Sequence, residues 1–426
     1  LQILSADEIE AIHETSLRVL EELGIEVMSG AARELLAAHG AEVDASRGVV
    51  RLDRALVMQM LQKVPSTFTL VPRNVERRLE IGGSHLAFGL VAGPPNVHDC
   101  ERGRRAGNYR DYCDFIRLAQ FFNVIHLIGN QVCAPMELPA NSRHLDTYLA
   151  NLVWSDMAFH CSSIGAGRAL DAIRMAAIAR GTTPEGLVEH PAVMSIINVN
   201  SPRRFDEAMA DGLMAMAGMG QPVVVTPFTL MGAMAPVTLA GALAQQNAEA
   251  LFGIVLAQAV RPGTPVMYGA FTSNVDLRSG APAFGTPENA KANVASGQLA
   301  RHYGLPYRTS NASASNVADA QGAWETQMSL WGAILGGAQG PLLEAFLADC
   351  AAKRATRPDL ATVSDAELVA YGRESARWQR HGWDVYAQVV IGATVGPQIV
   401  QGIADAVGKP ELGIRIFAAL GDEASA

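Results

Sequence analysis

The sequence predicts a mixed α/β fold of the (β/α)₈ barrel type. Seven apolar segments of strand length alternate with helical segments, namely residues 86–90, 124–130, 159–165, 193–198, 222–228, 265–271 and 306–311. Several of them are apolar throughout, as expected for parallel strands that are buried on both faces. Seven strands separated by helices favour a barrel over an open sheet.

The helical segments between these strands are marked by their ends. The clearest of them, residues 287–302, has Thr286 as its N-cap and Pro287 in its first turn, and Gly304 and Pro306 follow it. Proline at the start and glycine just after the end are typical helix boundaries. Residues 169–180, 205–219 and 239–260 are predicted to form further helices of the same kind.

The first 80 residues predict an N-terminal helical cap. Ser5 followed by Glu8 has the spacing of a capping box, and apolar residues then recur at roughly helical intervals up to Gly24. Two shorter helices are predicted over residues 31–39 and 53–63. We therefore divide the chain into a cap (1–80), a barrel (81–338) and a helical tail (339–426).

The tail is a departure from the barrel pattern. No convincing eighth strand follows residue 338, and residues 364–380 and 385–407 read as helix. Our hypothesis is that the eighth strand is missing or replaced, and that the tail packs as helices across the gap that this leaves between strands one and seven.

A doubly wound open sheet is the alternative fold. It usually carries a glycine-rich phosphate loop after the first strand. Gly165 and Gly167 lack the third glycine of such a loop, and Gly408-Lys409 is followed by Pro410 where a P-loop needs Ser or Thr.

Composition excludes several classes of partner. The 426 residues include 33 Lys and Arg against 42 Asp and Glu, which gives a net charge of −9. An acidic chain of this kind argues against a nucleic-acid or anionic-membrane partner. The five cysteines are scattered without CxxC spacing, which suits free thiols in a reducing cytoplasm. A homo-oligomer is compatible with the sequence.

The residues that follow the predicted strands are rich in amides, hydroxyls and aromatic rings. No HExxH motif and no metal-binding spacing of histidines is present, so no metal is predicted. Asp276, Asp319 and Glu325 are candidate acid or base groups, although each also reads as a helix cap or a helix-face residue.

Aromatic residues lie at or just beyond the strand ends: Phe88, Phe228, Tyr268, Phe271, Tyr307 and Trp324. One interpretation is that they form the barrel core. The other is a cage for a compact cation, held by the electron-rich ring faces. A quaternary ammonium has no hydrogen-bond donor, so such a site needs few polar groups.

Several long segments resemble the trimethylamine methyltransferase family. They are residues 93–99, 143–146, 268–276, 277–288 and 310–325, and the similarity runs from the N-terminus to about residue 338. Founding members carry pyrrolysine in the loop after the seventh strand, near Ala312 of this chain, where only standard residues occur. The chain is therefore most similar to the members without pyrrolysine, such as glycine betaine methyltransferase.

The resemblance implies a barrel enzyme that moves a methyl group from a small quaternary amine to the cobalt of a corrinoid. The corrinoid is carried by a partner protein, because this chain lacks the DxHxxG signature and is expected to bind no cofactor directly. A neutral tertiary amine leaves, so the reaction needs no general acid.

The predicted site follows from the aromatic residues and the resemblance together. Its cation side is assigned to Phe228, Tyr268, Phe271 and Trp324, and its polar side to Asn311, Ser313 and Asn316. Asp319 and Gln321 are expected to hold the loop. Two alternatives stay open: a binding or vestigial protein that no longer transfers methyl, and a metal-dependent barrel hydrolase.

Overall fold

A computed structural model describes residues 1–90, 93–99, 101–129, 131–315, 317 and 319–337. The predicted helical tail and its replacement of the eighth strand therefore lie outside the described residues. The same holds for Asn316.

The N-terminal cap begins as predicted. Helix α1 (Ala6–Arg18) starts at Ser5, whose hydroxyl accepts from the backbone N–H of Glu8, while the Glu8 carboxylate accepts from the Ser5 N–H at 2.8 Å. Helices α2 (Gly30–Ala38) and α3 (Arg54–Leu61) confirm the other two predicted helices.

Short strands in the cap were not predicted. They are β1 (Ile25–Val27), β2 (Glu42–Asp44) and β3 (Val49–Arg51), and β1 also pairs in parallel with Arg204–Phe205 of the next region. Three-residue strands carry little periodicity, so sequence patterns do not reveal them. The pairing of β1 joins the cap to the rest of the fold.

The rest of the described chain contains thirteen further strands and seven further α-helices. The strands are β4 (Thr67–Leu70), β5 (Leu79–Gly82), β6 (Asn96–Asp99), β7 (Gly103–Ala106), β8 (Leu127–Ile128), β9 (Ala158–Cys161), β10 (Val193–Ile197), β11 (Arg204–Phe205), β12 (Val223–Val225), β13 (Phe228–Met231), β14 (Val266–Val275), β15 (Pro282–Ala283) and β16 (Tyr307–Thr309). The helices are α4 (Tyr109–Phe121), α5 (Arg143–Trp154), α6 (Ala166–Arg180), α7 (Glu207–Gly218), α8 (Leu239–Val260), α9 (Pro287–His302) and α10 (Ala320–Gly337).

Six of the seven predicted strand segments contain a strand of one parallel sheet, and the first segment, residues 86–90, joins that sheet only through a single bridge. A bridge joins Gly89 to Leu127 of β8, and the order then continues β8, β9, β10, β12, β14, β16. Neighbours in the chain are neighbours in the sheet, as the helical crossovers of an α/β fold require. The predicted parallel α/β arrangement is confirmed to this extent.

The sheet is strongly curled. Were it flat, His160 on β9 and Arg308 on β16, four strands apart, would be separated by about 19 Å. Both side chains instead line one cavity. The described strands therefore wrap around an interior, and the gap in this wrapping lies between residues 88–90 and β16.

Alternate side chains along the strands serve two cores. Phe159, Val193 and Val225 pack outward against the helices, whereas Ala158, Met194 and Val224 face the interior. Phe68, Leu70 and Ile81 of the β4–β5 hairpin join this inner cluster. The position of a residue along its strand therefore determines whether its side chain points to the helices or to the interior.

Helix α10 packs closely on α9 beside the gap. A Cβ on Gly297 would collide with the backbone of Gly336, and one on Gly332 would meet Ala290 at 2.9 Å. Because these positions are glycine, the two helix backbones can approach each other. Leu330, Ala333 and Ile334 of α10 consequently line the open side of the interior.

Candidate active site

A cavity of about 550 Å³ lies at the carboxyl ends of the strands. Its lining comes from strand ends and the loops that follow them: Asn198, Thr226, Phe271, Phe284, Arg308, Asn311 and Ser313. Asn96 and His98 of β6 and Arg104 of β7 border it from the side. This is the end at which barrel enzymes hold their active sites, and we call it the upper cavity.

A second cavity of about 420 Å³ lies deeper, at the gap between residues 88–90 and β16. Arg308, Ser310 and Asn311 line both cavities, so the two adjoin at the end of β16. The deeper one is bordered mainly by the β5–Phe88 region and by α10. We assign the chemistry to the upper cavity because the strand ends converge there.

Three phenylalanines form one cluster at the upper cavity. The ring centroids of Phe228 and Phe271 are 5.0 Å apart, and those of Phe271 and Phe284 are 4.9 Å apart, with the latter two rings stacked and nearly parallel at 9°. Phe228 and Phe271 are register partners on neighbouring strands, which places their rings on the same face. Phe271 and Phe284 line the cavity, and aromatic rings of this kind can attract a cation.

Tyr268 does not join this cluster. It is fully buried on the helix side of β14, where its hydroxyl bonds Gln246 and Asn247 of α8. Successive side chains of a strand point to opposite faces, so Tyr268 and Phe271, three residues apart on β14, cannot both face the interior. The structure therefore assigns Tyr268 to the core rather than to the cation site.

Buried polar groups without partners line the two cavities. Among the described residues, His160 Nδ1, Thr226 Oγ1 and both amide atoms of Asn311 are buried and have no hydrogen-bond partner. Buried polar groups are normally paired, so such a concentration in one interior indicates a binding site for a polar ligand. Asn311 lines both cavities.

Ser313 belongs to a loop that one carboxylate organises. Glu325 Oε2 accepts from the Ser313 hydroxyl at 2.8 Å and from the N–H groups of Ala314 and Ser315 at 2.7 and 3.1 Å. Gln321 Nε2 donates to the other oxygen of Glu325 at 2.8 Å. Glu325 is therefore a structural acceptor for this loop, which borders the upper cavity.

The predicted loop-supporting residues lie at the start of α10, with Asp319 directly before the helix and Gln321 in its first turn. Asp319 accepts from the Ser315 hydroxyl at 2.8 Å and from the Gly322 N–H at 2.7 Å, and these bonds hold the pKa of Asp319 below its usual range. Asp319 and Gln321 both contact the loop or its anchor. Trp324, in contrast, is 62% exposed on α10 and is not among the described residues that line the cavities.

Other candidate chemical groups lie elsewhere. Asp276 is exposed in a turn, where it accepts from the Ser279 hydroxyl at 2.6 Å. Within the described residues, one group could hold a metal by distance, formed by Glu10, His13 and Glu14 on α1 in the cap. Neither lies at the upper cavity.

The upper cavity suits a small organic ligand. Its volume falls within the range of about 300–1,000 Å³ that is typical of small-molecule sites.

A family comparison decides the classification. The model of the trimethylamine methyltransferase family (MTTB) matches residues 1–343. The chain belongs to this family. The resemblance carried by residues 93–99, 268–288 and 310–325 is thereby confirmed, and the protein is a methyltransferase.

Curated relatives within the family cover most of the chain. Glycine betaine methyltransferase of Desulfitobacterium hafniense (strain Y51) is 38% identical over 336 residues, which are 79% of this chain and 70% of the relative. Proline betaine:corrinoid methyltransferase of Eubacterium limosum is 28% identical, with 78% and 70% covered. Trimethylamine methyltransferase MttB of Methanosarcina barkeri (strain Fusaro / DSM 804) is 30% identical, with 79% and 69% covered.

Solved structures resemble the chain only weakly. The monomethylamine methyltransferase MtmB of Methanosarcina barkeri superposes with a TM-score of 0.42 at 11% identity, over 95% of this chain and 92% of that one. A score this low does not establish closure of the barrel. Among the described helices, none combines the length and the apolarity needed to cross a bilayer.

Sequence reasoning missed or undervalued several site residues. Phe284 lies in the segment 277–288 that carries the family resemblance, but had no assigned role. Arg308 and His160 lie in short strands, and the sequence pattern did not predict to which face of the sheet their side chains point. Alternation separates Tyr268 from Phe271, but both faces of these strands are buried, so the sequence does not tell which of the two side chains points to the interior.

Proposed function

We propose that this protein moves a methyl group from a small quaternary amine of the glycine betaine type to the cobalt of a corrinoid held by a partner protein. The observation that carries the proposal is the aromatic cluster of Phe228, Phe271 and Phe284 beside a cavity with no carboxylate among its described lining residues. Two of the relatives are named for betaines.

The aromatic rings suit the quaternary head. An ammonium that carries only methyl groups has no N–H to donate, so its stabilisation must come from ring quadrupoles and from exclusion of water. Each well-placed ring contributes about 0.5–2 kcal/mol, depending on how far the site is desolvated. Phe271 and Phe284 would hold the head while one methyl faces the mouth of the cavity.

The lining also suits the leaving group. As the methyl carbon–nitrogen bond breaks, its electron pair stays on nitrogen, and the cation leaves as a neutral tertiary amine that needs no proton. The reduced cobalt of the partner supplies the electron pair for the new bond to the methyl carbon. The chain's own task is to orient the methyl group and to exclude water.

The fold of the complete chain is part of the proposal. We infer that the curled sheet belongs to a barrel of the (β/α)₈ type. A crystal structure in which the sheet stays open between residues 86–90 and β16 would contradict this inference.

The function is tested with the full chain. Isothermal titration is made with glycine betaine, proline betaine, carnitine and trimethylamine, and methylation of cob(I)alamin is then followed by its absorbance. We expect heat with at least one betaine and formation of methylcobalamin with the same compound. Binding without methylation would favour a vestigial binding protein, and no heat with any compound would overturn the proposal. A cytoplasmic location stays a prediction.

A further inference from the structure

Arg308 occupies the middle of the three-residue strand β16. Its neighbours point outward: the Tyr307 hydroxyl donates to Asn293 O at 2.7 Å, and the Thr309 hydroxyl donates to Asn293 Oδ1 at 2.8 Å, both on α9. Alternation along the strand therefore turns Arg308 inward. Its side chain lines both the upper and the deeper cavity.

The charge of Arg308 is not matched by the described part of the chain. No described carboxylate lies within 4.0 Å of its guanidinium, unlike Arg105, whose guanidinium pairs with Asp99 and Asp111. Burial lowers the pKa of Arg308 to about 10, so it is still protonated at neutral pH. Arg308 is half-buried, and a charge that is partly removed from water without a partner is costly, so a ligand anion would reduce that cost.

The groups around Arg308 favour an anion over a cation. His160 is 7% exposed; burial and then the charge of Arg308 lower its pKa to about 3, so it is neutral at physiological pH. Thr226 is 2% exposed, and its hydroxyl has no partner among the described residues. Thr226 and the Asn311 amide can each donate to an oxygen, as the arginine fork does.

We propose that Arg308 binds the carboxylate of the substrate and thereby makes the enzyme selective for betaines over quaternary amines without an acid group. The inference rests on the proposed function, since it concerns the other end of the same ligand. Phe271 and Arg308 line the same upper cavity, so one short zwitterion can place its methylated head on the rings and its carboxylate on the guanidinium.

The selectivity follows from the cost of unpaired groups. A site built to pair a charged group rejects analogues that lack this group, because its own polar atoms are then left unsatisfied. Tetramethylammonium has the same head as glycine betaine and no carboxylate. It should therefore bind the wild-type protein more weakly than glycine betaine does.

The experiment is isothermal titration of the full chain with glycine betaine and with tetramethylammonium. The variants are Arg308→Gln, Arg308→Lys and, as a matched control, Arg104→Gln. Arg104 also lines the upper cavity but is exposed at its rim, so water screens its charge. This control separates local pairing from a change in net charge.

We expect Arg308→Gln to lower the affinity for glycine betaine, relative to tetramethylammonium, by about 10- to 100-fold, the usual range for a charge-assisted hydrogen bond. Arg308→Lys should retain part of the preference, because lysine keeps the charge but not the planar fork. Arg104→Gln should change the ratio of the affinities for glycine betaine and tetramethylammonium by less than about threefold.

An unchanged ratio in Arg308→Gln, or loss of the preference in Arg104→Gln instead, would overturn the inference. If Arg308→Gln does not fold, the wild-type protein decides: equal affinity for glycine betaine and for its methyl ester would refute a carboxylate anchor. Methyl transfer to cob(I)alamin is measured in parallel. Transfer without preference for a carboxylate defeats only this inference, whereas binding without transfer defeats only the proposed function.

Discussion

The hydroxyl of Tyr268 donates to Oδ1 of Asn247 at 2.9 Å, inside the layer between β14 and α8. The same hydroxyl accepts from Gln246 Nε2 at 3.1 Å, and Asn247 Nδ2 in turn donates to the hydroxyls of Ser16 and Tyr303 at 2.9 and 2.8 Å. This network ties the sheet to α8, α9 and the cap. The network explains why Tyr268, although it belongs to a segment that resembles the family, contributes to the packing of the fold rather than to the lining of the cavity.

Tyr268→Phe should destabilise the fold and leave amine binding nearly unchanged. Removal of the hydroxyl takes away the partner of Asn247 Oδ1 and of Gln246 Nε2, both buried, at a cost of about 1–3 kcal/mol. Urea unfolding measures the loss, and titration with glycine betaine measures binding. Tyr109→Phe is the control, because the Tyr109 hydroxyl makes one long bond of 3.4 Å. A tenfold loss of affinity at unchanged stability would instead place Tyr268 in the site.

Phe271→Leu should weaken binding of the quaternary head. Leucine keeps an apolar surface but has no ring quadrupole, so we expect a loss of about 0.5–2 kcal/mol, or roughly 2- to 30-fold in affinity. Titration with tetramethylammonium isolates this effect from the carboxylate. Phe121→Leu, at a ring that is 63% exposed on α4, should have no effect. Equal affinities in wild type and Phe271→Leu would mean that the head lies elsewhere.

Glu325→Gln should loosen the loop of residues 310–315. Its carboxylate receives hydrogen bonds from Ser313, Ala314, Ser315 and Gln321, whereas a carboxamide offers only one acceptor oxygen. We expect faster hydrogen–deuterium exchange at Ala314 and Ser315, and weaker binding of glycine betaine. Glu288→Gln on the exposed side of α9 serves as the control. Unaltered exchange in Glu325→Gln would contradict the anchoring role.

His160 should make the protein sensitive to acid. Burial lowers its pKa to about 3, so between pH 6.5 and that value the unfolded chain binds a proton that the folded chain does not. Stability therefore falls as the pH falls below 6.5, by about 1.4 kcal/mol per pH unit from this group.

The measurement compares wild type with His160→Gln in urea at pH 7.5, 6.5 and 5.0. From pH 6.5 to 5.0 the wild type should lose about 2 kcal/mol more than the variant. His39→Gln, at an exposed histidine of the cap, should follow the wild type. Parallel stability curves for wild type and His160→Gln would show that His160 is not buried in a neutral form.

The sequence by itself determined the order of elements, the family and the position of the loop after the seventh strand. Those features depend on local signals: the box of Ser5 and Glu8, the apolar strands, and the long motif of residues 310–325. These signals can be recognised without knowledge of tertiary contacts, because helix capping and burial on both faces of a strand are visible in short stretches of consecutive residues.

Only the tertiary structure decided which side chains meet. The facing of β14 separates Tyr268 from Phe271, and the curl of the sheet brings His160 within the field of Arg308 from four strands away. Glu325 became the anchor of Ser313 because α10 returns over the loop. Such pairings arise from strand parity and sheet closure, which depend on register over long separations in the chain and leave no local pattern.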